Sequence, residues 1–291
     1  MDLALPLAPL APVRLGGELF AELDRHLLDL LRGLDSADWD RPTLCAEWTV
    51  KDVAAHLLDG TLRRVSAQRD GHRGRHQPAG FASYRELVAW IGELNGRWVR
   101  AADRLSPRVL IGLLAATGPW FTALMDGLDP EEPAFYPVAW AGEAASATWF
   151  DVAREYTEKW THQRQIREAV SRPGVLETPP LYSPVLATFV RALPVSYRDV
   201  TAAQGARVRL VVPGAAGGAW DVVRHAGAWH LGRAAAGAAP AATVTVPPES
   251  AWLLFTHRRD TAARRACLAT VTIEGDEHLG RPALGTVSVM A

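Results

Sequence analysis

Three residues of this sequence have the types and spacing of a metal site with an open coordination position. Glu158 and His162 are four residues apart, so on a helix they lie on one face with their Cβ atoms about 6 Å apart. His56 lies in an apolar stretch far upstream, which we expect to form a separate helix. Two nitrogens and one carboxylate oxygen suit zinc or a similar divalent ion such as nickel, and three protein ligands leave a position for water or substrate.

The same residues also allow interpretations that involve no metal. The Glu-x-x-x-His pattern is common on helices, so the two downstream residues can form a solvated pair. His56 can be a core histidine that hydrogen-bonds to Asp52 or Asp59, which lie one turn before and one turn after it. If a metal binds, Glu155 is a rival ligand, and Asp59 can serve as an extra ligand or as the carboxylate that orients a bound histidine.

The elements that must position these residues are helices. Thr49 and Asp52 fit a capping box, and the apolar positions that follow predict an amphipathic helix through His56. Residues 144–170 predict a long helix that contains the downstream pair. Further amphipathic or apolar helices are predicted over residues 15–34, 84–105 and 109–128, the last interrupted at Gly118 and Pro119.

The pattern changes after the turn signal at Arg172, Pro173 and Gly174. One more helix is predicted near residues 185–200, and short β-branched runs that indicate strands follow it. Residues 220–223 and 229–231 flank a predicted hairpin turn. The predicted fold is therefore an all-α N-terminal helical bundle over residues 1–174 and a smaller α+β domain over residues 175–291.

Composition excludes several classes of function. The chain has 31 basic and 32 acidic residues, a net charge of -1 and a pI of about 6.8, so no broad basic surface favours nucleic acid. Two cysteines in 291 residues indicate a reducing compartment. The N-terminus lacks the basic start of a signal peptide, and no stretch approaches the ~20 apolar residues of a membrane helix. We expect a cytoplasmic protein without nucleic-acid or membrane partners.

Two segments resemble a known family. The run W-x-x-P-T-x-C-x-x-W-T-V-x-D-V-x-x-H-L over residues 39–57 and the run E-K-W-T-H-Q-R-Q-I-R over residues 158–167 are similar to the mycothiol-dependent maleylpyruvate isomerase family. Its N-terminal domain belongs to the DinB-like four-helix bundles. The tail, with G-A-W at 218–220, G-A-W-H-L at 227–231 and I-E-G-D-E-H-L at 273–279, resembles that family's sterol-carrier-protein-like C-terminal domain.

The resemblance implies a function as well as a fold. The family's ligands, two histidines and a glutamate, correspond to His56, Glu158 and His162, and the open position would take the sulfur of a thiol such as mycothiol. The metal lowers the pKa of a bound thiol, and the resulting thiolate can attack an electrophilic carbon. The family often has Asp-Ile after the last ligand, where this chain has Gln165 and Ile166.

The predicted function is a metal-dependent and thiol-dependent isomerase or S-transferase for a small, anionic electrophile. Arg258 is the candidate catalytic residue, because arginine suits bidentate contact with a substrate carboxylate. We expect a small-molecule substrate, a thiol partner, and a monomer or homodimer.

The sequence is also compatible with two other functions. A metal-bound hydroxide would make the protein a DinB-like hydrolase, with Glu155 or Asp59 as the base. Alternatively, the protein has no catalytic activity and binds a metal or an apolar ligand, the latter between Trp220, Trp229 and Trp252 of the second domain.

Overall fold

The computed structural model describes residues 7–45, 47–74, 80–234, 239–256 and 261–289, and the chain forms two compact units. The helical unit contains Arg14–Phe135 and Ala147–Leu176. The mixed unit contains Met1–Val13, Tyr136–Ser146 and Glu177–Ala291. Neither unit is one continuous stretch of chain, whereas the predicted bounds 1–174 and 175–291 treat each domain as continuous. Those domain bounds stay a prediction.

The helical unit is built from amphipathic helices close to the predicted ranges. They are α1 (Gly17–Arg32), α2 (Val50–Arg64), α3 (Tyr84–Ala102), α4 (Pro107–Asp126) and α5 (Thr148–Ala169). Ser83 and Ser106 cap the N-termini of α3 and α4 by accepting a backbone hydrogen bond. Helices α4 and α5 each pack against α1 and α2, and leucines of α1 at three- and four-residue spacing are buried in that contact.

The predicted interruption of α4 is wrong, because the helix continues through Gly118 and Pro119. A proline inside a helix removes one backbone hydrogen bond, at a cost of about 3 kcal/mol. Leu114 and Phe121, on either side of the proline, are buried, and their burial offsets that cost. A Cβ atom at Gly118 would lie 2.7 Å from Oδ2 of Asp24, so that side chain would have to move.

Helix α4 is also long and apolar enough, by length and composition, to cross a membrane. The expectation that no stretch approaches this limit is therefore wrong for residues 107–126. Length and composition are a weak indication, because the core helix of a soluble protein passes the same test.

The mixed unit contains a six-stranded sheet and short helices. Its helices are α6 (Pro179–Phe189), α7 (Leu193–Tyr197), α8 (Pro248–Thr256), α9 (Ala262–Thr270) and α10 (Glu277–Gly280). Its strands are β1 (Leu7–Ala8), β2 (Arg207–Val212), β3 (Gly218–His225), β4 (Ala228–Ala234), β5 (Ala242–Thr245) and β6 (Thr272–Gly275). The strand order is β1-β4-β3-β2-β5-β6, in which only β2 and β5 run parallel. The chain is thus mostly helical with a C-terminal mixed sheet, as predicted.

The predicted hairpin joins β3 to β4 through Ala226 and Gly227. Both residues have positive φ values, 46° and 81°, which matches the right-handed twist of the paired strands. Three elements were not predicted. Strand β1 has only two residues and shows no periodicity, α9 lies in a short segment without a strong apolar pattern, and α10 has only four residues.

A buried ion network joins α2 to α5. Asp151, which is fully buried, accepts hydrogen bonds from Arg64 of α2 (3.3 Å) and Arg154 (2.6 Å). Burial disfavours its charged form, but Arg154 and Arg64 outweigh burial and hold the pKa of Asp151 below its ordinary value. Because Arg64 and Asp151 lie about two turns from His56 and Glu158 respectively, the network fixes the two helices that contain the candidate ligands.

Candidate metal centre

Helix α2 holds His56 in the interior of the helical unit. The helix begins with the predicted capping box, in which Thr49 and Asp52 each bond to the other's backbone N–H, at 3.3 and 2.9 Å. Val53 and Leu57 are buried on the same helix, and the His56 side chain is only 7% exposed. The ring of Trp48 lies 5.0 Å from that of His56, centre to centre. The imidazole of His56 is therefore packed against protein side chains and is largely shielded from water.

Helix α5 presents Glu158 and His162 from successive turns, as their spacing predicted. The helix is buried on most of its circumference even though many of its residues are polar. Lys159, between the two, bonds to Asp24 of α1 at 2.9 Å, and Trp160 donates its Nε1 hydrogen to the carbonyl of Leu176. These contacts hold α5 from its other sides and leave Glu158 and His162 facing α2.

The three predicted ligands converge on one point. Oε1 of Glu158 lies 3.1 Å from Nε2 of His56 and 3.1 Å from Nε2 of His162. The two imidazole rings are 4.7 Å apart, and one ligand atom from each residue lies within 4.8 Å of the others. Ligand atoms about 2.0–2.1 Å from a tetrahedral zinc ion are about 3.3 Å apart, so the donor set fits such an ion.

The cluster opens on the side of Glu158. Its side chain is 40% exposed, whereas those of His56 and His162 are 7% and 12% exposed. An ion held by the three residues would therefore have protein around the histidines and access for a further ligand beside the carboxylate. This arrangement is typical of a catalytic site with an open position rather than a closed structural one.

The three groups alter each other's ionisation. Partial burial disfavours charge on Glu158, but the neighbouring His162 and His56 outweigh it and hold the pKa of Glu158 well below its ordinary value. Burial also disfavours protonated His162, yet the Glu158 carboxylate raises the pKa of His162 above its ordinary value. For His56 burial dominates, so its pKa is lowered and the neutral form that binds metals is favoured.

The second ring nitrogen of each histidine has a different environment. Nδ1 of His162 lies 2.8 Å from Oε1 of Gln165, and this acceptor favours a proton on Nδ1, so that loss of the second proton would leave the Nε2 lone pair for an ion. Nδ1 of His56 is buried without a hydrogen-bond partner among the described residues. Gln165 thus provides the hydrogen-bond acceptor that usually orients the second ring nitrogen of a metal-bound histidine.

The structure does not bring the rival carboxylates into the cluster. Asp59 is buried and lies 2.8 Å from Nε of Arg63, its neighbour one turn on. Glu155 accepts hydrogen bonds from Arg154 (2.7 Å) and Arg64 (3.4 Å) as part of the buried network. Both carboxylates are engaged by arginine, and the group of potential ligands among the described residues is His56, Glu158 and His162.

The other residues singled out in the sequence lie outside the cluster of His56, Glu158 and His162 or outside the described residues. Arg258 lies outside the described residues, so its proposed contact with a substrate carboxylate stays a prediction. Trp220, Trp229 and Trp252 are buried in the mixed unit. Cys45 is partly exposed and Cys267 is buried.

Sequence reasoning missed two neighbours of the cluster. Trp48 stood in the N-terminal run without an assigned role, and Gln165 was noted only as a departure from the family pattern. A signal existed for Gln165, because a residue three positions after a ligand lies on the same helical face and can reach its ring. Trp48 precedes the helix, and its contact with His56 depends on the loop conformation.

Comparison with known proteins gives one family and two similar folds. The family model for the mycothiol maleylpyruvate isomerase N-terminal domain matches residues 20–167, just over half of the chain. That match includes all three residues of the cluster. A comparison with curated protein sequences gives no significant match.

Both solved structures are of mycothiol-dependent maleylpyruvate isomerase. One is of a histidine-to-alanine mutant, which aligns with a TM-score of 0.52 at 12% identity over 89% of this chain and 91% of that chain. The other aligns with a TM-score of 0.49 at 13% identity over 81% of this chain and 85% of that chain. At this identity the first of them shows a shared fold across both units.

Proposed function

The chain belongs to the mycothiol maleylpyruvate isomerase N-terminal domain family, and from this premise we propose that it is a metal-dependent and thiol-dependent isomerase or S-transferase. In this proposal the helical unit is a DinB-like four-helix bundle, and the mixed unit is a sterol-carrier-protein-like domain. The observation that supports it is the convergence of His56, Glu158 and His162 from two helices onto one point. The metal is zinc or nickel, the thiol is mycothiol or a relative, and the location is the cytoplasm.

The chain's own residues prepare the site for this chemistry. Neutral His56 and ionised Glu158 offer lone pairs without losing a proton, and Gln165 orients His162 so that its Nε2 faces the same point. A divalent ion held there would lower the pKa of a coordinated thiol, so that a thiolate exists at neutral pH. The open side at Glu158 would admit the thiol and a small electrophile with a carbon–carbon double bond. Arg258 is proposed to bind the substrate carboxylate.

The hydrolase alternative receives less support. A hydrolase of this type needs a carboxylate poised as a general base beside the bound water. The two candidates, Glu155 and Asp59, are each engaged by arginine and lie outside the cluster. We therefore propose the thiol-dependent reaction rather than hydrolysis.

Thiol dependence tests the proposed function directly. Zinc-loaded protein without a histidine tag is mixed with maleylpyruvate, with and without mycothiol, and the product is identified by chromatography. We expect isomerisation only when both metal and thiol are present. Turnover of an ester or amide without thiol, together with no isomerisation, would contradict the proposal and favour the hydrolase.

Metal affinity is expected to fall in acid. The raised pKa of His162 means that its proton must leave when a metal binds, whereas the lowered pKa of His56 means that it has no proton to lose near neutrality. Above the pKa of His162 the affinity should be flat, and below it the dissociation constant for zinc should rise about tenfold per pH unit. Calorimetric titrations in two buffers of different ionisation enthalpy measure the released proton; an affinity that does not change in acid would argue against His162 as a ligand.

Gln165 is expected to act through His162. Gln165→Ala removes the acceptor at Nδ1, so the zinc dissociation constant should increase about 10–100-fold. Gln165→Glu keeps an acceptor at the same position and should retain the affinity, which makes it the matched control. Equal affinities for wild type and Gln165→Ala would show that this contact does not orient the ligand.

A further inference from the structure

The outer face of α4 is apolar over most of its length. Val109, Leu113, Ala116, Trp120 and Ala123 are exposed and form what we name the α4 stripe. Val109, Leu113 and Trp120 are 48%, 37% and 49% exposed. From Val109 to Met125 the helix contains no charged residue, and its charged ends are Arg108 and Asp126.

This face differs from that of an ordinary surface helix. The opposite side of α4 already packs on α1 and α2 through residues such as Leu110, Leu114 and Phe121. A helix with one buried face normally has polar residues on its solvent side. Among the described residues, three of the four exposed large hydrophobic side chains belong to α4, and the fourth is Tyr136. Most of the apolar stretch of α4 is therefore left uncovered by the part of the chain that the structure describes.

The spacing of the α4 stripe suits another helix. Its members are separated by four, three, four and three residues, which is the repeat of a seam between two packed helices. The small residues Ala116 and Ala123 alternate with Leu113 and Trp120, so the surface offers both projections and recesses. Arg69 lies 5.7 Å from the Trp120 ring, but this contact leaves the indole half exposed.

We propose that the α4 stripe is the interface with a second copy of this chain, whose α4 packs against it in the antiparallel direction. A twofold axis near Ala116 would place Val109 opposite Ala123 and Leu113 opposite Trp120 of the second copy. Such self-complementary pairing is the property that a symmetric dimer requires.

Charge supports the antiparallel direction. Arg108 lies in the first turn of α4 and Arg104 three residues before the helix, whereas Asp126 ends the helix and Asp129 follows it. Asp103, beside Arg104, pairs with Lys51. Antiparallel packing brings each basic end beside the acidic end of the second copy, whereas parallel packing would bring like charges together. The net charge of -1 adds little repulsion between two copies. The cluster of His56, Glu158 and His162 lies on α2 and α5, so this interface uses none of its residues.

Sedimentation equilibrium of the full chain, in detergent-free buffer across the micromolar range, tests the dimer. We expect wild type to be dimeric, and Leu113→Glu and Trp120→Glu each to raise the dissociation constant at least about 100-fold, because each change is repeated in both copies. Tyr136→Glu is the matched control, since it adds the same charge at another exposed aromatic residue and should leave the dimer intact. Circular dichroism of each variant confirms that it is folded.

The outcomes that overturn the proposal are distinct. A wild type that stays monomeric at every concentration contradicts it, and binding of that monomer to phosphatidylcholine–phosphatidylglycerol vesicles would assign the face to a membrane instead. Direction is tested by Ala116→Cys, which should cross-link between copies under mild oxidation while Val109→Cys does not. The unsubstituted chain, with Cys45 and Cys267, is the control; equal cross-linking at both positions would contradict the antiparallel arrangement.

Discussion

His162→Ala is expected to lower the affinity for zinc about 1000-fold and to abolish thiol-dependent isomerisation. Structural zinc in zinc-finger peptides binds with about 10–16 kcal/mol. On that scale one of three ligands accounts for about a third, or about 4 kcal/mol, which is about a 1000-fold change in affinity. The remaining donors, His56 and Glu158, would hold the ion too weakly to be occupied at cellular concentrations. Competition with a coloured chelator measures the affinity, and product chromatography measures the turnover.

His26→Ala is the matched control for this substitution. His26 is a partly buried histidine of α1 that faces Glu22, and it lies outside the cluster of potential ligands. Its removal should leave zinc affinity and turnover unchanged. If His162→Ala kept wild-type zinc affinity, the assigned ligand set would be incorrect, even if the variant lost activity.

Asp151→Asn is expected to lower the free energy of unfolding by about 3–5 kcal/mol. The substitution removes the more deeply buried of the two carboxylates that face Arg64 and Arg154, and it leaves Glu155 as the only carboxylate near both arginines among the described residues. Urea unfolding followed by circular dichroism measures the change. The matched control is Glu93→Gln, which removes a carboxylate from an exposed pair with Arg97 and should change stability little.

The loss of unfolding free energy caused by Asp151→Asn should depend on pH. The pKa of Asp151 is lowered in the folded protein, so its stabilising contribution is fully present above its unfolded-state pKa and is lost as the pH falls towards the folded value. The difference in unfolding free energy between wild type and Asp151→Asn should therefore be largest near neutral pH and should shrink in acid. A difference that grew in acid would show that another group dominates.

The candidate site was predictable where it depended on local spacing. The capping box and the apolar positions of α2 predicted the helix that contains His56, and the four-residue spacing predicted the shared face of Glu158 and His162. Their convergence with His56 was not derivable from periodicity, because 102 residues separate the two segments and packing alone brings them together. The family resemblance supplied that link.

The other differences between the predicted and the observed structure also arise from contacts between distant parts of the chain. The continuity of α4 through Pro119 depends on the tertiary burial of its neighbours, which local propensity does not include. The pairing of Arg64 with Asp151 joins residues 87 positions apart. From the sequence, many other arginines were equally possible partners for Asp151. Strand β1 has two residues and exists because β4 offers it an edge.

Elemental analysis of the metal in tag-free protein tests the central claim most directly, with His56→Ala prepared in parallel. The arrangement of His56, Glu158 and His162 predicts about one zinc-like ion per chain in wild type and a large loss in the variant. No bound metal in wild type after reconstitution with zinc or nickel would contradict the claim. The shared fold would then reflect common ancestry without the metal chemistry.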